Sequence, residues 1–437
     1  MARRRAARRR VALRAIGCKV NQAEVGETAD ALQALGWAVV PFTEAADAYL
    51  VHTCTVTSTA AQKCRQALRG AVRRNPGALV VASGCYVQVS PGELSAIDGV
   101  GLVVGTDRTS ELAAIIDARL PAPGPQRPPS RDTARSTFLG HTRAFLRVQS
   151  GCDRFCTYCI VPHARGGVRS RPLAEIVDGA ARLVAGGHRE IVLTGTNLGA
   201  WGEDLGGEGC LVDVIRAVLD VVGDGVRIRL SSIEVGDLTE AFLDLFASED
   251  RLCPHLHLPL QSGGSDVLRR MGRPYTARGF LDRVRIVLAA RPGCTFGLDA
   301  MVGFPAETDG AFEATCDVVR RIPVVRVHAF RFSPRPGTPA AGFPDRVPGG
   351  IARARSEALR ELAADRSEAL RRGLVGGVRT VLVESRTDER GRNCGFTEDS
   401  LDTALAGAEN LVGRLVRVRI TGVEGPATHG ELLEQGG

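Results

Sequence analysis

Short apolar runs alternate with stretches of helical period from residue 11 to residue 120. Val11–Ile16, Trp37–Phe42, Ala48–His52, Leu79–Ala82 and Leu102–Val104 read as strands, and Gln22–Leu35, Thr57–Arg74 and Ser110–Arg119 as helices. Such alternation predicts a parallel α/β sheet. The stretch Pro121–Thr142 is rich in Pro, Ser and Arg, so it reads as a linker. A longer series follows in a central domain spanning 143–370. Its strands are Ala144–Val148, Glu190–Thr194, Val226–Ser231, His255–Pro259, Thr295–Val302 and Val324–Phe332. Between them fall the helical segments Leu173–Ala185, Leu211–Val222, Leu238–Phe246, Ala277–Ala290 and Asp309–Arg321. Five or six β/α units predict a partial or full barrel whose site lies at the carboxyl ends of the strands. A long helix, Ile351–Gly373, leads into residues 371–437. There Val378–Glu384 and Leu411–Thr421 alternate as strands, and a small all-β barrel is expected.

Composition changes this picture little. The chain has 437 residues, 44% of them hydrophobic, which suits two to four domains. Its net charge of +7 is mostly local: Arg3, Arg4, Arg5, Arg8, Arg9 and Arg10 form a basic tail over residues 1–10 and leave 50 basic and 49 acidic side chains in the rest. Any nucleic-acid footprint of the body must therefore be local too. Twelve cysteines without a secretory leader point to a reducing, cytoplasmic setting, and no apolar stretch is long enough for a membrane span.

The candidate chemistry lies in the cysteines. Cys152, Cys156 and Cys159 are spaced C-x3-C-x2-C after the first central strand. No fourth ligand at zinc-like spacing follows, and the Val161-Pro162 pair is expected to turn the chain and weaken His163 as a ligand. Three thiolates suit a cubane iron–sulfur cluster with one iron left open. Phe155 and Tyr158 are expected to shield it from water. Cys18, Cys54 and Cys85 each follow a strand of the first sheet, so the topology gathers them at one rim. They hold a second cluster or are three separate core thiols. Cys64 reads as a packed thiol, and Arg65, Arg69 and Arg73 form a basic stripe on its helix. At the central strand ends, Asn197, Ser232, Glu234 and Gln261 are candidates to hold a cofactor, Glu234 by accepting from ribose hydroxyls.

The setting Gln149–Gly166 around the three clustered cysteines closely resembles the radical S-adenosylmethionine enzymes and, within them, the methylthiotransferases. The resemblance covers nearly the whole chain. Gly17–Gln22, Thr53–Thr57 and Gly84–Tyr86 match the N-terminal cluster motifs, and His257–Ser265 and Phe332–Thr338 match central ones. It implies a radical-SAM partial (β/α) barrel flanked by an N-terminal auxiliary-cluster domain and a C-terminal TRAM-like RNA-binding barrel. It also implies two [4Fe-4S] clusters, one on Cys152, Cys156 and Cys159 and one on Cys18, Cys54 and Cys85. S-adenosylmethionine at the first cluster yields a 5′-deoxyadenosyl radical that takes hydrogen from C2 of an adenine; the second cluster supplies sulfur, and a second S-adenosylmethionine the methyl group. Gly-Cys-Lys-Val-Asn-Gln resembles the branch acting on N6-threonylcarbamoyladenosine at position 37 in the anticodon loop of tRNA. The isopentenyladenosine branch typically has Gly-Cys-Gln-Met-Asn there, and the ribosomal-protein branch Gly-Cys-Pro-Lys-Asn. An electron donor such as flavodoxin or ferredoxin is implied. The chain departs from the pattern at His52, where the family often has Asn, and in its slightly acidic C-terminal module. Those other substrates, and more distantly an iron–sulfur electron carrier, are the alternative readings.

Overall fold

The computed structural model describes residues 8–120, 142–207 and 209–433, and these fold as two compact units. The expectations for Arg3, Arg4 and Arg5 and for nearly all of the linker lie outside the described residues.

The first unit is built on a five-stranded parallel sheet of β1 (Arg10–Ala15), β2 (Ala38–Val40), β3 (Ala48–Thr53), β4 (Leu79–Gly84) and β5 (Val100–Val104), in the order β2-β1-β3-β4-β5. Helices α1 (Lys19–Ala34), α2 (Ser58–Arg74), α3 (Cys85–Val89), α4 (Pro91–Ser95) and α5 (Leu112–Arg119) cover it. Every residue of β3 is buried, as befits a central strand covered on both faces. The basic tail is partly folded. Arg9 pairs with Asp117 and stacks 4.3 Å over the Trp37 ring, and Arg10 opens β1. The unit also includes Ser150–Asp153 and Ile160–Gly167, the latter holding α6 (Val161–Arg165). Val161-Pro162 therefore starts a helix rather than turning the chain: proline is tolerated in the first helical turn, where its missing N–H has no partner to lose.

The second unit holds two three-stranded parallel sheets. In chain order the strands from here are β6 (Ala144–Arg147), the short β7 (Gln149–Ser150, of which Ser150 counts with the first unit) and β8 (Arg169–Ser170) flanking the cysteine loop in sequence, β9 (Glu190–Thr194), β10 (Arg227–Leu230), β11 (His255–Gln261), β12 (Thr295–Val302) and β13 (Val324–Arg331). The sheets run β10-β9-β6 and β11-β12-β13, and parallel bridges from Ile228 to Leu252 and from Ser232 to His257 link them into the expected partial barrel. Outside it pack α7 (Leu173–Ala185), α8 (Leu211–Val222), α9 (Glu240–Ser248), α10 (Ser265–Arg270), α11 (Ala277–Ala290), α12 (Asp309–Arg321) and α13 (Gly349–Arg372) around one large apolar core.

The C-terminal module is a closed barrel of β14 (Val378–Thr387), β15 (Asn393–Thr397), β16 (Asp402–Leu405), β17 (Leu415–Glu424) and β18 (Ala427–Leu432). It belongs to the same unit as the central strands. The joint is polar. Glu190, fully buried on β9, accepts from Arg227 at 2.6 Å and Arg229 at 2.8 Å. Those guanidiniums donate onward to the carbonyls of Thr380, Phe396, Thr397 and Glu398. Burial alone would push the Glu190 carboxyl up, but the two arginines outweigh it and hold it well below the usual carboxylate range. Removing one partner of such a network strands the other charges, so Glu190→Ala is expected to cost about 3–5 kcal/mol. A lowered thermal midpoint for the unit containing the barrel checks this.

Candidate metal centres and substrate site

In the first unit Cys18, Cys54 and Cys85 follow β1, β3 and β4, three neighbouring strands. Cys18 caps α1 and Cys85 opens α3. Gly17 makes the approach between them with φ +109°; a Cβ there would lie 2.7 Å from the Cys54 Sγ, so only glycine fits. Burial pushes the Cys54 thiol up to about 11 and the Cys85 thiol up to about 12; Cys18 and Cys64 raise the first further, and Cys18 and Cys54 the second. A metal centre reverses this preference by binding the thiolates. The glycine-lined approach and the three converging sulfurs thus fit an iron–sulfur group.

A salt-bridge network invisible in the spacing supports this rim. Arg165 donates to both Glu24 oxygens at 2.8 Å, to the Asn21 Oδ1 at 2.7 Å and to the Ser150 Oγ at 3.1 Å. His52 lies 2.9 Å from the same carboxylate. Asn21 in turn donates to the carbonyls of Ile16 and Thr53, fixing the ends of β1 and β3, and its side-chain oxygen is 3.5 Å from the Cys18 Sγ. Burial would raise the Glu24 carboxyl, but Arg165 first and His52 second hold it far below its ordinary value. Cys64 is packed in the apolar core as expected, and its Sγ also accepts the Cys54 N–H at 3.4 Å. Asn21 stood in the motif Gly17–Gln22 and Arg165 in the setting Gln149–Gly166; nothing in the sequence pointed to Glu24, or to Arg165 as its partner.

Cys152 belongs to the first unit. Its N–H donates to the Gly166 carbonyl at 3.0 Å, and a Cβ on Gly151 would lie 1.8 Å from the Gly167 oxygen. Cys156 and Cys159 belong to the second. Cys156 is buried, and the Arg273 guanidinium donates to its Sγ at 3.4 Å. The backbone of Thr157 is fixed by the Met271 carbonyl at 3.0 Å and its hydroxyl by the Arg270 carbonyl at 2.8 Å. These donors fit the same kind of group. Tyr158 packs edge-on to Phe304, and Phe155 is 58% exposed with φ +43°.

Asn197, Ser232, Glu234 and Gln261 all lie at or just past the carboxyl ends of β9, β10 and β11. Asn197 is buried and its N–H donates to the Gln149 Oε1 at 3.0 Å. Ser232 forms the bridge to His257, and Gln261 sits at a bulge with φ +61°. Glu234 is ion-paired with Arg273, a partner the sequence did not suggest, and through it stands one residue away from the Cys156 sulfur.

The partial parallel barrel with a C-x3-C-x2-C loop after its first strand defines the radical S-adenosylmethionine fold. The radical SAM superfamily profile matches residues 146–319, and that of the uncharacterized protein family UPF0004 matches residues 10–105. The chain is 35% identical to the threonylcarbamoyladenosine tRNA methylthiotransferase MtaB of Bacillus subtilis (strain 168), over 97% of this chain and 96% of that one. It is 34% identical to a tRNA-2-methylthio-N(6)-dimethylallyladenosine synthase of Cereibacter sphaeroides, over 97% and 99%. Among solved structures, the radical S-adenosylmethionine methyltransferase TsrM of Kitasatospora setae shares the fold, with a TM-score of 0.56 at 18% identity, over 76% of this chain and 75% of that one. The chain belongs to the radical S-adenosylmethionine methylthiotransferase family.

Two outcomes follow from the rim. Gly17→Ala is expected to lose about half of the iron bound on anaerobic reconstitution, one cubane of two, as read by iron analysis. Because the folded Glu24 carboxyl lies below its unfolded value of about 4.3, the stability it contributes is fully present above that pH and is lost as pH falls through the folded value. The thermal midpoint of the wild type should therefore drop more steeply in acid than that of Glu24→Gln, which starts lower at neutral pH.

Proposed function

We propose that this chain methylthiolates C2 of N6-threonylcarbamoyladenosine at position 37 of tRNA, in the cytoplasm, with electrons from a flavodoxin or ferredoxin. The rim of Cys18, Cys54 and Cys85 carries this reading, because an enzyme that only generates a radical has no use for a second set of three converging thiols. When bound, two [4Fe-4S] groups and S-adenosylmethionine supply the radical, the sulfur and the methyl group. Cys152, Cys156 and Cys159 hold one group by their spacing, and Cys18, Cys54 and Cys85 the other.

The remaining work falls to the chain's own side chains. Arg165 sets a positive charge beside Cys85 that Glu24 only partly offsets. Arg273 does the same for Cys156 while orienting Glu234. Asn197, Ser232, Glu234 and Gln261 offer polar groups to the amino acid and ribose parts of S-adenosylmethionine. An unstacked anticodon-loop base is accessible at modest cost, and the C-terminal barrel offers Arg417 and Arg419 on the exposed face of β17 for phosphate contact. Most other arginines of that barrel are paired with its own acids, as in Arg379–Asp399 and Arg386–Asp402, so its contribution is a patch rather than a broad field.

The test is mass spectrometry of tRNA nucleosides from cells with and without the chain, together with the anaerobically reconstituted full chain on anticodon stem-loops. Conversion of threonylcarbamoyladenosine to its methylthio form is expected. Persistence of that form in cells lacking the chain, or product only on a dimethylallyladenosine stem-loop, would overturn the substrate assignment.

A further inference from the structure

The inner face of β11, β12 and β13 carries a cluster distinct from the six rim and loop cysteines and from Asn197, Ser232, Glu234 and Gln261. Along β12 the residues Leu298, Ala300 and Val302 are buried in the core, whereas Asp299 and Met301 face the other way, toward the concave side. On β13 Val327 and Ala329 point into the core, and Arg326, His328 and Phe330 are exposed on the concave side. Register stacks these residues in rungs: Met301 beside Phe330 nearest the mouth, then Asp299 beside His328, then Gly297 between His257 and Arg326. Two residues of strand separate successive rungs, about 7 Å.

The middle rungs are polar and ordered. His257 Nε2 lies 3.0 Å and His328 Nδ1 3.4 Å from the same Asp299 oxygen. Burial would raise the Asp299 carboxyl, but the two imidazoles beside it, His257 first, hold it well below its ordinary value, so it is ionised and only accepts. Both facing ring nitrogens therefore carry hydrogen. His257 is locked further by Gly297, where a Cβ would come within 2.6 Å of its Nδ1. The His328 Nε2 makes no hydrogen bond among the described residues, on a side chain 43% exposed. Arg326, one rung deeper, makes no hydrogen bond or ion pair among the described residues and is exposed on the concave face.

We propose that Arg326 and His328, the latter held by the Asp299–His257 pair, read the acidic N6 arm of the substrate adenine. This rests on the function proposed above. The threonylcarbamoyl arm carries a carboxylate, a hydroxyl and a urea; a dimethylallyl arm carries none of these. With the adenine ring against Phe330 at the mouth, the N6 arm reaches down one to two rungs. Arg326 pairs with its carboxylate, and the His328 Nε2 hydrogen-bonds with its hydroxyl. The Asp299 charge does not repel the arm, because both imidazoles already satisfy it.

The experiment compares the full holoenzyme with Arg326→Leu and His328→Phe, both at exposed positions. Each is given stem-loops bearing threonylcarbamoyladenosine, dimethylallyladenosine or plain adenosine. Two readouts are taken: kcat/KM for methylthio product, and Kd by fluorescence anisotropy. The wild type should bind the threonylcarbamoyl loop more tightly than the plain loop. Each variant should lose that preference and at least tenfold of the ratio of kcat/KM between threonylcarbamoyl and dimethylallyl substrates, with Arg326→Lys recovering part of it. Variants that keep the wild-type ratio and Kd preference, or that lose both substrates equally, overturn the proposal while leaving the function intact. A wild type inactive on the threonylcarbamoyl loop overturns the function itself, whatever the variants do.

Discussion

Strands that run parallel all end on the same edge, and a residue's distance along a strand then fixes its depth below that edge. Both units of this chain depend on that constraint. In the first it collects Cys18, Cys54 and Cys85, which are spread over 68 positions of sequence, at the ends of β1, β3 and β4. In the second it places Asn197, Ser232, Glu234 and Gln261 at the strand ends and sets Met301 and Phe330, then Asp299 and His328, then Arg326 below them. Position along the strand thus becomes a chemical coordinate: polar cofactor candidates outermost, an apolar ledge beneath, and a charged floor under that.

Buried carboxylates tie these layers together. Glu24 links α1, β3 and α6; Glu190 links β9, β10 and the C-terminal barrel; Asp299 links β11, β12 and β13. Each is kept ionised against burial by cationic or imidazole partners. Taking such groups out of water costs about as much as their pairing returns, so they add little net stability over an apolar equivalent. What they add is position. A bidentate guanidinium accepts one arrangement of its carboxylate where an apolar contact accepts many.

The α/β alternation was legible because buried parallel strands are continuous apolar runs, and β9, β12, α7, α8, α11 and α12 have the expected bounds. The C-terminal barrel was half legible. Its strands β15, β16 and β18 read Asn-Cys-Gly-Phe-Thr, Asp-Thr-Ala-Leu and Ala-Thr-His-Gly-Glu-Leu, too short and polar for alternation to stand out, and they are held by neighbours rather than by propensity. The cysteines were legible from spacing and motif. Arg165, Arg273 and Arg326 were not, because an arginine's role is set by what a distant segment places beside it. Arg165 and Glu24 are 141 residues apart, and Glu234 met Arg273 only through the fold.

Relatives named for threonylcarbamoyladenosine and for dimethylallyladenosine resemble this chain almost equally, at 35% and 34% identity over 97% of its length. Global likeness therefore does not decide which N6 arm is accepted; a few side chains at the right depth must. The choice is asymmetric. An apolar pocket tolerates an extra polar atom at small cost, whereas a site built to pair a carboxylate rejects an apolar arm strongly, because closing over it strands the site's own charge. Arg326 is such a charge: among the described residues nothing on the protein satisfies it, and an arm without a carboxylate would cover it and leave it unpaired. The floor of the barrel thus selects its substrate as much by what an empty guanidinium costs as by what a filled one gains.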